Sequence, residues 1–66
     1  MNTLAVGNRL RELRGKRTAA EIAEMVGVST SAMLMYENGE RVPRDEIKVR
    51  IAKLHGVTVG SLFFNE

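Results

Sequence analysis

Residues 18–38, "TAAEIAEMVGVSTSAMLMYEN", carry two start signals and two stop signals at a spacing that short helices satisfy. Thr18 and Glu21 make the T-x-x-E pattern of a capping box. In such a box the hydroxyl accepts from a backbone N–H of the first turn, and the carboxylate reaches back to the cap. Ile22, Ala23 and Val26 then recur on one face of a helix. Gly27 can take the left-handed conformation that ends it. Ser29 is the next N-cap, and Asn38-Gly39 supplies the next stop. Ala23 is small where the two helices must approach, and Val28 can plug the space under the turn. By composition "AMLMY" could be a buried strand, but Ser29 before it and "NG" after it favour helix.

The remainder continues the same period. Val6, Leu10 and Leu13 share a face of a first helix, which "RGKR" interrupts at Gly15. Pro43 lies in a connection. Asp45 begins a fourth helix with Ile47, Ile51 and Leu54 on one face, closed by Gly56. Thr58 caps one more short turn, whose Leu62 and Phe63 are expected over the core. No stretch shows sustained alternation with hairpin turns. The expectation is an all-α fold: one domain over 1–66, a compact bundle of five short helices with a helix-turn-helix core at about 18–38.

A chain of 66 residues buries only about 60% of its unfolded surface, so the core is thin and surface remains for a partner. It has no cysteine, which excludes disulfides and thiolate metal sites and fits a reducing cytosol. No run approaches the roughly 18 apolar residues of a membrane span. "MNTLAVGN" lacks the basic start and long apolar core of a signal peptide. A cytoplasmic protein without a membrane partner, metal or cofactor is expected.

The net charge of +2 is unevenly spread. Residues 1–18 carry Arg9, Arg11, Arg14, Lys16 and Arg17 against Glu12, a net of +4. Residues 19–40 carry only Glu21, Glu24, Glu37 and Glu40, a net of −4. Residues 41–66 return to +2. Charge alone fits a mixed solvated surface, and an acidic middle between basic flanks has to be reconciled with any anionic partner.

At 100° per residue the third helix turns Ala32, Met33, Tyr36 and Glu37 inward. Ser31, Leu34, Met35 and Asn38 face outward, with Thr30 at the rim. Glu37 sits at the edge of its apolar stripe and Arg14 does so on the first helix. A partly buried Arg14–Glu37 salt bridge is expected, since either charge alone would be costly there; two solvated charges are the alternative.

A short helix, a glycine turn and a second short helix make the helix-turn-helix arrangement, in which the second helix enters the major groove and the first crosses the backbone. "LRGKRT", "EIAEMVGVS", "YENGERVPR" and the closing "LHGVTVGSLF", in this order and spacing, resemble the Cro/C1-type (Xre-like) helix-turn-helix domains of phage repressors and bacterial regulators. The resemblance covers about residues 5–63. It implies a lambda-repressor-like five-helix fold, a double-stranded DNA partner with a palindromic operator, and a homodimer at least on DNA. Thr30, Ser31, Leu34 and Met35 match the family's base-facing positions. Thr18, Asn38, Arg41 and Arg44 match positions near phosphates, and Arg14 with Glu37 matches a salt bridge of some members. Ala19 stands where glutamine is common, so one expected phosphate contact is absent. Leu34 and Met35 stand where polar residues are usual.

Only Thr30 and Ser31 of the four base-facing residues can hydrogen-bond. Leu34 and Met35 can offer apolar contact to thymine methyls. The expected readout is modest, A/T-biased and helped by DNA shape. Phosphates would be met at the flanks by Lys16, Arg17, Arg41 and Arg44. The alternative is a protein-interaction module (antitoxin, anti-repressor or partner-sequestered regulator) using an apolar patch of Leu34, Met35 and Met25. A third reading packs Leu34 and Met35 onto their own domain.

No enzyme is expected. His55 is the only histidine and falls in the last turn of the fourth helix, where a cation suits the dipole. "GKRT" lacks the spacing of a phosphate-binding loop. Phe64, pointing away from Leu62 and Phe63, is the expected dimer contact.

Overall fold

The computed structural model describes residues 1–65, and these form five helices: α1 Thr3–Arg14, α2 Ala19–Val26, α3 Thr30–Glu37, α4 Asp45–His55 and α5 Val59–Phe63. Side-chain caps set most of their starts. The Thr18 hydroxyl accepts from the Glu21 N–H at 3.1 Å, while Glu21 accepts from the Thr18 N–H at 3.2 Å, which completes the capping box. Ser29 accepts from the Ala32 N–H and Thr58 from the Ser61 N–H, each at 3.0 Å. Asn2 caps α1 in the same way, a role the sequence reading did not assign. Only α4 lacks a side-chain cap; its first turn carries Asp45 and Glu46, which favour the positive end of the helix dipole.

The core is assembled from one face of each helix. Val6 and Leu10 of α1, Ile22, Ala23 and Val26 of α2, and Met33 and Tyr36 of α3 meet Ile47 and Ile51 of α4 and Leu62 and Phe63 of α5. Phe63, Met33 and Ile51 are the largest fully buried side chains. Burying one such side chain contributes about 1.5–3 kcal/mol. Val28, under the α2–α3 turn, and Leu54 pack against this cluster partly buried. α3 lies against both α1 and α2, so its direction is set from two sides.

The α1–α3 crossing rests on Gly7. A Cβ there would stand 2.0 Å from the Glu37 carbonyl oxygen and 2.7 Å from its carbon. Backbone therefore touches backbone at this point, and no side chain fits between.

Leu13 corrects the expectation for α1. It shares the wheel position of Val6 and Leu10 but remains 37% exposed. In the last full turn of α1 it borders a shallow hollow with Val57, Ser61 and Leu62, which only partly covers it. Lys48 is the opposite case. It is buried in α4, with its ammonium 3.4 Å from Asp45 Oδ1 and 5.0 Å from the centre of the Phe64 ring.

Candidate nucleic-acid interface

α3 presents two unlike faces. Ala32, Met33, Tyr36 and Glu37 are buried against the bundle. Thr30, Ser31, Leu34, Met35 and Asn38 are all exposed. Leu34 is 43% and Met35 37% accessible, so their own domain covers them only in part. Met25 of α2 is exposed as well. An eight-residue helix with this division is a rigid presenter: the inner face fixes the angle, and the outer face is available for contact.

The C-terminal end of α3 is held by a charge network. The Glu37 carboxylate is buried. Arg14 Nη2 donates to its Oε1 at 3.1 Å. Arg14 Nε lies 2.9 Å from Oε2 but off the line of a hydrogen bond, so that contact is coulombic rather than directed. Arg14 Nη1 also donates to the Arg17 carbonyl at 3.1 Å. Arg11 Nε stands 4.0 Å from Glu37 Oε1, and Arg11 Nη2 donates to Asn38 Oδ1. One buried carboxylate thus links two arginines of α1 to the end of α3.

Four further cations named from the sequence, Lys16, Arg17, Arg41 and Arg44, have side chains outside this network. Lys16 and Arg17 are exposed in the turn before α2, whose N-terminus begins at the exposed cap Thr18. Arg17 Nη1 approaches the Met25 sulfur at 3.7 Å. The Arg41 guanidinium lies 6.0 Å from the centre of the Tyr36 ring, which places it beside the last turn of α3. Arg44 is exposed as the N-cap residue of α4, 4.0 Å from Glu46 in a surface pair of small energetic value. The acidic middle is internal only at Glu37, which is buried against Arg14; Glu21 makes the capping box at the surface. Glu24 and Glu40 are exposed.

His55 ends α4, in the last turn where the sequence places it. It is partly buried, and that desolvation, with the Arg17 guanidinium as a smaller cause, lowers its pKa from the ordinary 6.5. Desolvation thus opposes the helix dipole, which favours a cation at this end of α4. Among the described residues, no three or more His, Cys, Asp or Glu side chains are placed to hold a metal ion. Among the described residues, no helix is long and apolar enough to cross a membrane. The sequence does not show that Arg11 joins the Glu37–Asn38 network, because an arginine on an exposed helix face carries no signal for a specific partner.

Comparison with known proteins agrees with this geometry. The profile of the helix-turn-helix domain family matches residues 5–62. A Pyrococcus furiosus protein named for an HTH-type transcriptional regulatory role is 40% identical over 50 residues; the match covers 73% of this chain but 16% of that protein. The crystal structure of the P22 c2 repressor in complex with a synthetic operator superposes with a TM-score of 0.86 at 28% identity, covering 92% of this chain and 96% of that one. The solution structure of the P22 c2 repressor DNA-binding domain gives 0.81 at 33% identity, over 94% and 84%. With five helices in this order and a profile match spanning nearly all of them, the chain belongs to the helix-turn-helix domain family, in its phage-repressor-like form.

Proposed function

We propose that this chain binds double-stranded DNA sequence-specifically and acts as a transcriptional repressor, with α3 in the major groove. The observation that carries the reading is the division of α3. Its inner face is locked to α1 and α2, while Thr30, Ser31, Leu34 and Met35 stand outward together. The repressor of similar fold is described with a synthetic operator, which supports the same class of ligand here. Thr30 and Ser31 supply the hydrogen bonds to base edges, and Leu34 and Met35 meet thymine methyls. Lys16, Arg17, Thr18, Asn38, Arg41 and Arg44 meet phosphates on either side and fix the register. The Arg14–Glu37 pair holds the end of α3 from beneath. Such a module binds rather than catalyses, and it works in the cytoplasm.

A dimer completes the proposal. Phe64 is 48% exposed beside α5 and is the assigned contact. Two copies would set their α3 helices roughly 34 Å apart on a palindromic operator. The exposed apolar set Met25, Leu34 and Met35 favours the second reading, a protein partner at this surface.

Selection from randomised duplexes tests the readout. The expected outcome is a short A/T-biased half-site, repeated with two-fold symmetry. Enrichment of a G-rich site without thymines, or of no site, would overturn it.

A further inference from the structure

We infer that Arg11 is a positioning residue, which turns the Asn38 side-chain amide so that its two N–H donors face outward toward a phosphodiester oxygen. The inference rests on the DNA-binding reading above. An asparagine amide presents an acceptor on one side and two donors on the other, and which side faces outward decides whether it attracts or repels an anion. Arginine carries only donors. Arg11 Nη2 at Asn38 Oδ1 therefore fixes the choice: the oxygen is engaged by the guanidinium, and the NH2 is left for solvent or ligand.

Arg11 is itself anchored. Its Nε is 4.0 Å from the buried Glu37 carboxylate, and Nη1 reaches Asn8 Oδ1 at 3.5 Å. Glu37 takes its directed hydrogen bond from Arg14, so Arg11 is not needed to neutralise it. The amide sits on the C-cap residue of α3, whose own N–H is bonded to the Leu34 carbonyl at 2.9 Å. Backbone and side chain of Asn38 are thus both fixed before any ligand arrives, which lowers the entropic cost of binding.

Two measurements on the full chain test this. The first needs no DNA: the Asn38 side-chain amide resonances in a ¹H–¹⁵N spectrum. They are expected to be dispersed in the wild type and to collapse toward random-coil positions in Arg11→Ala, with the backbone spectrum otherwise retained. An unchanged Asn38 amide would overturn the positioning role.

The second is a double-mutant cycle of Arg11→Ala and Asn38→Ala, read as affinity for a selected duplex and as its salt dependence. Arg11→Ala is expected to cost about tenfold alone, the size of one hydrogen bond to a charged group, and almost nothing in the Asn38→Ala background. Equal losses in both backgrounds, with the log–log salt slope falling by about one unit, would show Arg11 to be a direct phosphate contact and overturn the inference. Asn38→Asp keeps the acceptor for Arg11 and removes the donors, so it is expected to fold and to bind at least tenfold more weakly. If wild type binds no duplex at all, the DNA reading fails and the phosphate half of the inference with it; the spectrum still decides whether Arg11 orders the amide.

Discussion

Single residues carry more of this fold than their composition suggests. Glu37 is a buried carboxylate whose charge is met chiefly by Arg14, with Arg11 more distant. Removing one partner of a buried pair leaves the other uncompensated. Arg14→Ala is expected to cost about 2–3 kcal/mol in urea unfolding, a large share of what a chain this small has in hand; a loss below about half a kcal/mol would mean the pair is solvated. Gly7 can be isolated in the same assay. Gly7→Ala drives a methyl into the α3 backbone and is expected to prevent folding or cost at least about 3 kcal/mol. Gly56→Ala, at a left-handed position with open space around it, is expected to cost only about 1 kcal/mol. Equal effects would contradict the close α1–α3 approach. His55 gives a pH signature. Because its folded pKa lies below 6.5, the unfolded chain binds the proton more readily. The stability from neutral His55 is present in full above pH 6.5 and is lost as pH falls below it toward the folded value. Thermal midpoints are expected to drop more between pH 7 and pH 5 in the wild type than in His55→Gln; parallel curves would contradict the shift. Gly7 and Lys48 were not legible in the sequence. A lone glycine inside a helical pattern has no signal of what lies across from it, and a lysine reads as surface although its stem can cross apolar ground.

Helices were more legible than contacts. Thr18, Ser29, Asp45 and Thr58 set the starts of α2 to α5 because caps and first-turn acids act locally, within three or four residues. The buried face of α3 followed from its period for the same reason: 100° per residue is local geometry. Leu13 shows where that reasoning stops. Period places it on the inner face of α1, but covering it requires a neighbour, and α5 is only five residues long. The directions of the Arg11 and Arg41 side chains depend on elements distant in sequence, so the candidate site could be read only as residue types at matching positions. At this scale the flanks of α3 make the prediction. Arg41→Ala and Arg44→Ala are each expected to weaken binding about equally on all duplexes and to flatten the log–log salt slope by roughly one unit. A change in preferred sequence with an unchanged slope would assign them to bases instead.

The whole molecule joins a small core to one outward helix and an uneven charge. Burying Glu37 against Arg14 withdraws one of the four carboxylates of the acidic middle into the structure, while Glu21, Glu24 and Glu40 stay exposed. Phe64 lies elsewhere on the surface, beside the Lys48 ammonium. Phe64→Ser is expected to shift the mass on DNA from two copies toward one while each copy keeps its fold; an unchanged mass would remove Phe64 from the dimer contact. The central claim is that α3 reads DNA, and titration of the protein against a selected duplex and a random one, at two salt concentrations, tests it most directly. The account predicts that the selected duplex binds at least about a hundredfold more tightly, and that both affinities fall steeply with salt. Equal affinity for the two duplexes, or no binding to either, would contradict it.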